Sequence, residues 1–122
     1  MMVSFGPTLP GLSGAAESEA FRQLPPPAER EVEQVAHLVL MQLLPALADA
    51  DLTAFGSALT DVQRITGGGF APAQGGAFAS GLTRDLVVKL AEFGAAGVGQ
   101  SSWGPTVYGI VADPDAARDL VQ

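Results

Sequence analysis

The sequence contains no cysteine, a single histidine, and only six basic residues against thirteen acidic ones. Without cysteine the chain can form no disulfide, thiolate nucleophile or zinc–sulfur site. The net charge of −7 argues against nonspecific binding to nucleic acid or to an anionic membrane surface, because both are negatively charged. A local pocket can oppose this overall charge, so a small anionic substrate remains compatible with the composition.

The sequence also lacks a long hydrophobic run and a secretory signal. The most apolar stretch, residues 35–44, is too short to cross a bilayer, and the next residue, Pro45, is expected to end or kink a helix. We interpret this stretch as a buried helix. Residues 1–16 contain no basic segment followed by a long apolar one. These features favour a cytoplasmic protein without a membrane segment.

The composition suits one domain with a core of its own. A chain of 122 residues, 48% of them hydrophobic, can bury a sizeable core but is too short for two domains. We divide it into a loop with a strand stub over residues 1–16, helices over 17–66, a glycine-rich loop over 67–81, and a helix–strand–turn–strand–helix segment over 82–122.

The spacing of apolar residues predicts three helices in the first half of the chain. The first covers residues 17–24 and precedes three consecutive prolines, and the second covers residues 29–47. Asp49 or Asp51 can cap the third helix, which we expect to stop at Gly67-Gly68-Gly69.

The second half of the chain predicts one more helix and then a strand–turn–strand unit. Residues 83–93 have helical spacing, with Gly94 at the C-terminal cap. The residues that we expect to face inward from this helix are Leu86, Val87, Leu90 and Phe93. Strands are predicted over residues 95–99 and 106–112, joined by a turn over 100–105.

A third strand and a final helix complete the predicted fold. Asp113-Pro114 is typical of a helix start, because it combines a capping side chain with proline at the first helical position. Two strands alone make a weak sheet, so residues 3–5 or a partner must complete it. The fold class is α+β, with helices over one face of a small antiparallel sheet.

The turn between the last two strands is the strongest candidate for a binding site. Glycines allow the backbone to approach a ligand closely, and consecutive N–H groups in such a turn can surround an anion, with Ser101 and Ser102 as further donors. The alternative is a glycine-rich hairpin that only needs tight turns. Composition alone leaves both interpretations open.

The amino-acid sequence of this turn resembles a motif of a known family. Gly99-Gln100-Ser101-Ser102-Trp103-Gly104-Pro105-Thr106 is similar to the third conserved motif of the GHMP kinase superfamily, in the branch of the β-ribofuranosylaminobenzene 5′-phosphate synthases. Three other segments fit that branch in the right order: Gly11-Leu12-Ser13-Gly14 followed by Glu17 and Phe21, Phe55-Gly56 with Gln63, and Gln74-Gly75-Gly76. The likeness runs from about Gly11 to Ile110.

The resemblance implies a transferase and a substrate-binding surface. The family reaction joins phosphoribosyl pyrophosphate to 4-hydroxybenzoate or 4-aminobenzoate, releases pyrophosphate and carbon dioxide, and serves the synthesis of methanopterin-type cofactors. Backbone donors and a divalent cation such as Mg²⁺ would stabilise the departing pyrophosphate. The candidate residues for substrate and phosphate binding are Gly99, Gln100, Ser101, Ser102, Trp103, Gly104, Thr106, Gln74, Gly75 and Gly76. No catalytic residue and no protein metal ligand is assigned.

The sequence departs from the family at both ends. Superfamily members carry a second phosphate loop, Pro-x-x-x-Gly-Leu-Gly-x-Ser-Ser, in an N-terminal domain, and usually a further strand after the last helix. Neither is found here, so we expect a domain truncated at both ends that is inactive alone and needs the N-terminal domain or a partner chain. The surface left uncovered would also favour a homo-oligomer. The alternatives are a domain of an ATP-dependent GHMP small-molecule kinase and a non-catalytic ligand-binding or partner-binding module.

Other polar residues have both a functional and a plain structural interpretation. Arg64, Arg84 and Lys89 could meet phosphate oxygens, but we prefer to interpret them as part of solvated helix faces. Asp61 and Asp85 could hold magnesium through water, or be ordinary surface carboxylates. His37 fits a structural role within an apolar helix. Trp103 could stack on a benzoate ring or pack the hairpin against the helices.

Overall fold

The computed structural model describes residues 2–5, 14–74, 81–101 and 106–121 of the chain. Within these ranges it contains three β-strands and six α-helices, with a π-helical segment between α2 and α3. In chain order the elements are β1 (Met2–Phe5), α1 (Gly14–Gln23), α2 (Glu29–Leu38), the π segment (Val39–Leu43), α3 (Leu44–Ala48), α4 (Leu52–Gln74), α5 (Gly81–Glu92), β2 (Gly97–Gln100), β3 (Val107–Ile110) and α6 (Pro114–Val121).

The three strands form one antiparallel sheet in the order β1-β3-β2. Val3 of β1 lies opposite Gly109 of β3, and Val98 of β2 lies on the other side of Gly109. The stub predicted at the start of the chain is therefore the third strand. The sheet needs it, because a two-stranded ribbon buries too little surface to be stable alone.

One face of the sheet is covered by helices, as predicted. Val98 and Val107 point to this face and form the core cluster with Val87 and Leu90 of α5. Leu120 of α6 packs against the same cluster, and Val107 is completely buried. Val98 and Val107 are buried on this face because α5 and α6 exclude water from it.

The outer edge of β2 is covered by α4. The N–H of Ser101 points towards β3, where it donates to the carbonyl oxygen of Thr106 at 2.9 Å. Successive N–H groups of a strand point alternately to its two sides within the plane of the sheet. The N–H of Val98 therefore points away from β3, towards the outer edge. There it donates to Oγ1 of Thr60 at 3.2 Å. This hydrogen bond occupies an outward-facing donor of the β2 edge, which another strand would otherwise use.

Two glycines bring α4 and β2 into backbone contact. A Cβ atom added to Gly56 would overlap the carbonyl oxygen of Ala96, and one added to Gly97 would lie 2.8 Å from the Cα of Gly56. Any larger residue at either position would force the two backbones apart. The contact therefore fixes where β2 lies relative to α4.

The helix that begins at Glu29 passes Pro45 instead of ending there. Pro45 has no N–H to offer the preceding turn, and its ring would clash with a carbonyl of that turn in a regular α-helix. The π segment widens the helix just before it, where the N–H of Leu44 donates to the carbonyl oxygen of Val39. α2, the π segment and α3 thus follow one another without a loop.

The prediction that residues 35–44 form a buried helix is wrong. Leu40 and Met41 are 63% and 65% exposed, and no residue of α2 or of the π segment is buried. The exposed side chains form what we call the apolar stripe: Leu40, Met41, Leu44 and Leu47. Apolar spacing identifies a face that favours burial, but it does not show what covers that face. No helix in the described part of the chain is long and apolar enough to cross a membrane.

The loop predicted over residues 67–81 differs from the structure. α4 runs through Gly67-Gly68-Gly69 to Gln74, and residues 75–80 lie outside the described part of the chain. Glycine weakens a helix by about 1 kcal/mol relative to alanine, but does not forbid it. Packing of α2 on α4 holds this part of the helix, and Gly67 is buried.

Three predicted helix boundaries are confirmed by their capping contacts. Asp51 accepts the N–H of Ala54 at 3.0 Å, and Asp113 accepts that of Ala116 at 2.8 Å. Gly94 has a φ of 97°, which a glycine tolerates best. Phe93 was expected to face inward but is 76% exposed, because α5 ends at Glu92 and the chain turns away.

Candidate functional site

The structure places part of the predicted binding surface at the end of the β2–β3 hairpin. Gly99 and Gln100 are the last two residues of β2, and Gln100 is only 4% exposed. Thr106 precedes β3 and is half-buried. Ser102, Trp103, Gly104 and Pro105 lie outside the described residues.

Ser101 has two donors, and the hairpin uses one of them. Its backbone N–H donates to the carbonyl oxygen of Thr106 and so extends the strand pairing beyond Gln100. Ser101 itself is exposed, so its hydroxyl faces solvent. Its backbone amide is therefore not open to an anion, whereas its side chain is.

The second predicted segment is described only at its first residue. Gln74 is the last residue of α4, and Gly75 and Gly76 lie outside the described part of the chain. The grouping of these three residues with the hairpin stays a prediction from the sequence.

A polar pair lies directly over Gly99. A Cβ atom added to this glycine would lie 2.5 Å from the hydroxyl oxygen of Tyr108 and 2.7 Å from Oε1 of Gln63. Tyr108 is the cross-strand neighbour of Gly99 on β3, and Gln63 comes from α4. Both side chains thus converge on the space that the missing side chain of Gly99 leaves.

The polar pair is neutral and partly shielded from water. Tyr108 and Gln63 are both half-buried, and burial raises the pKa of the Tyr108 phenol. The hydroxyl therefore stays protonated at neutral pH and can donate a hydrogen bond. Within residues 2–5, 14–74, 81–101 and 106–121, no hydrogen bond joins the two side chains to each other.

A polar cleft of about 650 Å³ lies between α2 and α4. His37 and Arg30 of α2 face Arg64 of α4 across it. Arg64 is paired with Asp61 at 3.4 Å, and its side chain is 75% exposed. Charges of both signs line the cleft, so it has no clear preference for an anion. His37, for which the sequence suggested a structural role within an apolar helix, is exposed here.

A second groove, of about 520 Å³, lies between α1, α2 and α4 and is mainly apolar. Phe21, Val32, Val35 and Ile65 line it together with the three prolines that follow α1. Gly69 of α4 borders this groove, and Gly68 borders the polar cleft. The glycine-rich part of α4 therefore separates the two.

The remaining charged candidates lie on exposed helix faces. Arg84, Asp85 and Lys89 of α5 are all exposed, which agrees with solvated surface positions. Among the described residues, no three His, Asp or Glu side chains are grouped closely enough to hold a metal ion.

Sequence reasoning missed the contacts that position the hairpin. Thr60 donates to the carbonyl oxygen of Gly56 at 2.9 Å while it accepts the N–H of Val98, so one hydroxyl links helix and strand. The signal was a lone glycine in a strongly helical segment, which usually has a packing reason. Gly99 and Tyr108 were separated by the turn in the sequence, and only the strand register brings them together.

Comparison with known proteins gives one family match. The model of the family described as GHMP kinases C terminal matches residues 43–122. The match thus begins at the last residue of the π segment and includes every later element. There is no significant match to a solved structure.

Three curated relatives carry the same name, beta-ribofuranosylphenol 5'-phosphate synthase. The protein of Methanothermobacter thermautotrophicus is 32% identical over 99 residues, which is 81% of this chain and 29% of the relative. The Archaeoglobus fulgidus protein is 36% identical over 104 residues, 85% of this chain and 30% of the relative. The Methanocaldococcus jannaschii protein is 34% identical over 95 residues, 78% of this chain and 27% of the relative.

The alignments cover a limited part of the relatives. The chain spans less than a third of the length of the curated relatives that it matches, and it corresponds to their C-terminal part.

Proposed function

Because this chain belongs to the family of GHMP kinase C-terminal domains, we propose that it acts as the C-terminal domain of a β-ribofuranosylphenol 5′-phosphate synthase. The supporting observation is that three relatives of this name align with about four-fifths of the chain at 32–36% identity. The hairpin contains the sequence Gln100-Ser101-Ser102-Trp103. This sequence supports the synthase branch of the family rather than the kinase branch.

The proposed reaction joins a phosphoribosyl group to an aromatic acid. The bond from the anomeric carbon of phosphoribosyl pyrophosphate to the pyrophosphate oxygen breaks, and that carbon bonds to the ring carbon that bears the carboxylate. The carboxylate leaves as carbon dioxide, and its bonding electrons restore the aromatic ring. A phenol product requires 4-hydroxybenzoate, whereas 4-aminobenzoate would give an aniline. The name of the relatives therefore favours 4-hydroxybenzoate as the substrate.

The hairpin and the end of α4 would supply the binding surface. We place substrate phosphate groups at Ser101, Ser102, Gly104 and Thr106, with Gly99 and Gln100 as the rigid base, and Trp103 and Gln74-Gly75-Gly76 nearby. The exposed hydroxyl of Ser101 supports this placement. Charge develops on pyrophosphate as it leaves, so fixed donors there would lower the barrier.

The cation would enter with its substrate. Pyrophosphate binds Mg²⁺ through its own oxygens, and the described residues contain no cluster of carboxylates or imidazoles that would replace them. Mg²⁺ is therefore treated as part of the substrate, and no residue of this chain is assigned to it.

The rest of the active site would come from a second unit. We propose that a domain or chain equivalent to the remaining part of the relatives contacts the apolar stripe on the π segment and α3. Leu40, Met41 and Leu47 are each more than 60% exposed, which supports a covered surface there in the complete enzyme. The same stripe would promote self-association of the chain alone. We place the protein in the cytoplasm.

Reconstitution tests the proposed function. The 122-residue chain is mixed with phosphoribosyl pyrophosphate, 4-hydroxybenzoate and Mg²⁺, with and without a polypeptide that carries the remaining part of a relative. Pyrophosphate release and the mass of the glycoside product are measured. We expect both only when the two polypeptides are combined. The matched variants are Ser101→Ala, expected to lower turnover about tenfold or more by removing a bond to a charged group, and Ser57→Ala on the exposed side of α4, expected to have no effect.

The other outcomes are distinct. In a parallel sample that contains ATP in place of phosphoribosyl pyrophosphate, formation of ADP would favour an ATP-dependent small-molecule kinase. Turnover by the chain alone would contradict the division of the active site between two units. The absence of any product with a folded, mixed sample would favour a non-catalytic module.

A further inference from the structure

The apolar stripe and a cavity beside it lie on one exposed surface. The side chains of the stripe, Leu40, Met41, Leu44 and Leu47, are between 46% and 65% exposed. A cavity of about 240 Å³ opens at the end of the stripe, where Leu47 lines it. The surface thus contains both protruding apolar side chains and a space that can receive one. The other apolar residues that line the cavity are Ala46, Ala50, Leu52, Phe55 and Ile110.

The order of these features along the helix makes the surface complementary to itself. Leu40 and Met41 protrude at the start of the stripe, whereas the cavity lies at its end, beside Leu47. At the usual rise per residue, Leu40 and Leu47 are about 10 Å apart along the helix axis. Two copies that run antiparallel, with a two-fold axis near Leu44, therefore place the protruding end of each copy over the cavity of the other. In such a contact the same surface serves both partners.

The charges at the two ends of the stripe favour the same direction. Residues 38–48 contain no charged side chain. His37 precedes this segment, Asp49 and Asp51 follow it, and all three are exposed. An antiparallel pair brings the imidazole N–H of His37 towards the carboxylates of the second copy. A parallel pair would instead bring the carboxylates of both copies together, where they repel each other.

We propose that two copies of this chain pair through the apolar stripe as antiparallel helices, and that each inserts Leu40 or Met41 into the cavity beside Leu47 of the other. The stripe and the cavity involve fewer residues than a standard interface, so we expect reversible pairing with a Kd of roughly 1–100 µM. The pairing rests on the proposed function in one respect, since the second unit of the complete enzyme would occupy the stripe in place of the second copy.

Sedimentation equilibrium of the 122-residue chain measures the pairing. Above the expected Kd we predict a species of twice the monomer mass of 12.4 kDa, which dissociates on dilution. Leu40→Asp and Leu47→Asp each bury a carboxylate in the contact and should weaken dimerisation by at least about 30-fold. Val88→Asp is the matched control: it adds the same charge at an exposed apolar position of α5 and should change the Kd by less than about twofold. Circular dichroism melting verifies that each variant is folded.

Cross-linking tests the direction of the pairing, because the chain has no cysteine of its own. Leu40→Cys and Leu47→Cys are made in separate copies of the chain. A disulfide requires Cα atoms within about 7 Å of each other, which antiparallel pairing provides between position 40 of one copy and position 47 of the other. Mild oxidation should therefore link the copies only when the two variants are mixed. A gel without reductant and mass spectrometry identify the products.

Each outcome supports or contradicts the pairing. A monomer at every concentration overturns it, and so do large aggregates without a dimer. A dimer that both Leu40→Asp and Leu47→Asp leave intact lies on another surface, and linkage of either cysteine variant to itself contradicts the antiparallel direction. These measurements contain no substrate, so they fail independently of the proposed function. Product formation by a mixture whose chain is monomeric on its own would remove the pairing alone, whereas a dimer without any product from that mixture would remove the proposed function alone.

Discussion

The two halves of α4 contain glycine for opposite reasons. At Gly56, in the first half, an added Cβ would overlap the carbonyl oxygen of Ala96, so helix and strand could not touch. At Gly68 and Gly69, in the second half, an added Cβ would meet no atom within 4 Å. One glycine is required by packing, and the other two are not required by anything that the described structure shows. Glycine in a helix is therefore informative only once its surroundings are known.

The difference extends to the threonines of the same helix. Thr60 links α4 to the edge of β2 through the N–H of Val98, whereas the Thr66 hydroxyl only donates to carbonyls of its own helix, at 3.0 Å to Val62 and 3.2 Å to Gln63. The first half of α4 is thus fixed to the sheet and to the hairpin. The second half contacts α2 and borders the polar cleft and the apolar groove.

Substitution of Gly56 should have the largest effect. In Gly56→Ala the new methyl group meets backbone atoms of Ala96 and Gly97, which cannot rotate away as a side chain can. We expect the free energy of unfolding to fall by about 3 kcal/mol, the upper part of the usual range for overpacking. Urea denaturation followed by circular dichroism measures this change.

The matched control is Ser57→Ala, one residue further along the same helix at an exposed position. It should change the free energy of unfolding by less than about 0.5 kcal/mol. A Gly56→Ala variant as stable as this control would mean that α4 does not rest on β2 in solution, and the contrast between the halves of the helix would disappear.

Removal of the Thr60 hydroxyl should have an intermediate effect. Thr60→Val keeps the shape of the side chain but leaves the part-buried N–H of Val98 without its acceptor, so we expect a loss of roughly 1–2 kcal/mol. Thr66→Val removes a hydroxyl that bonds only within the helix and should cost less than about 0.5 kcal/mol. Hydrogen exchange of the Val98 amide should accelerate in the first variant only. Equal losses in both variants would show that the link to β2 contributes nothing.

Local signals in the sequence predicted the elements but not their contacts. The caps at Asp51 and Asp113 depend on neighbours three residues away, so the sequence pattern was sufficient for them. The loop expected at Gly67-Gly68-Gly69 was wrong because helix propensity competes with packing on α2, and packing is a property of residues far apart in the chain. The buried helix expected over residues 35–44 was wrong for the same reason.

The candidate site was predictable to the extent that it lies within one continuous segment. The sequence motif covers Gly99 to Thr106. In the structure, Gly99 and Thr106 lie on either side of the β2–β3 turn, as the sequence predicted. The convergence of Tyr108 and Gln63 on Gly99 depends on the register and on the position of α4 together. No pattern within a single segment contains that information.

Substitution of the second-half glycines should have the smallest effect and the opposite sign. Gly68→Ala and Gly69→Ala each place a methyl group in open space and remove the conformational freedom of glycine in the unfolded chain. Each should raise the free energy of unfolding by up to about 1 kcal/mol, and the double variant by roughly the sum. Hydrogen exchange should slow over the amides of residues 67–74 more than over those of residues 52–66. Destabilisation by either substitution would show that these positions are packed against something in solution. The two halves of α4 would then contain glycine for the same reason.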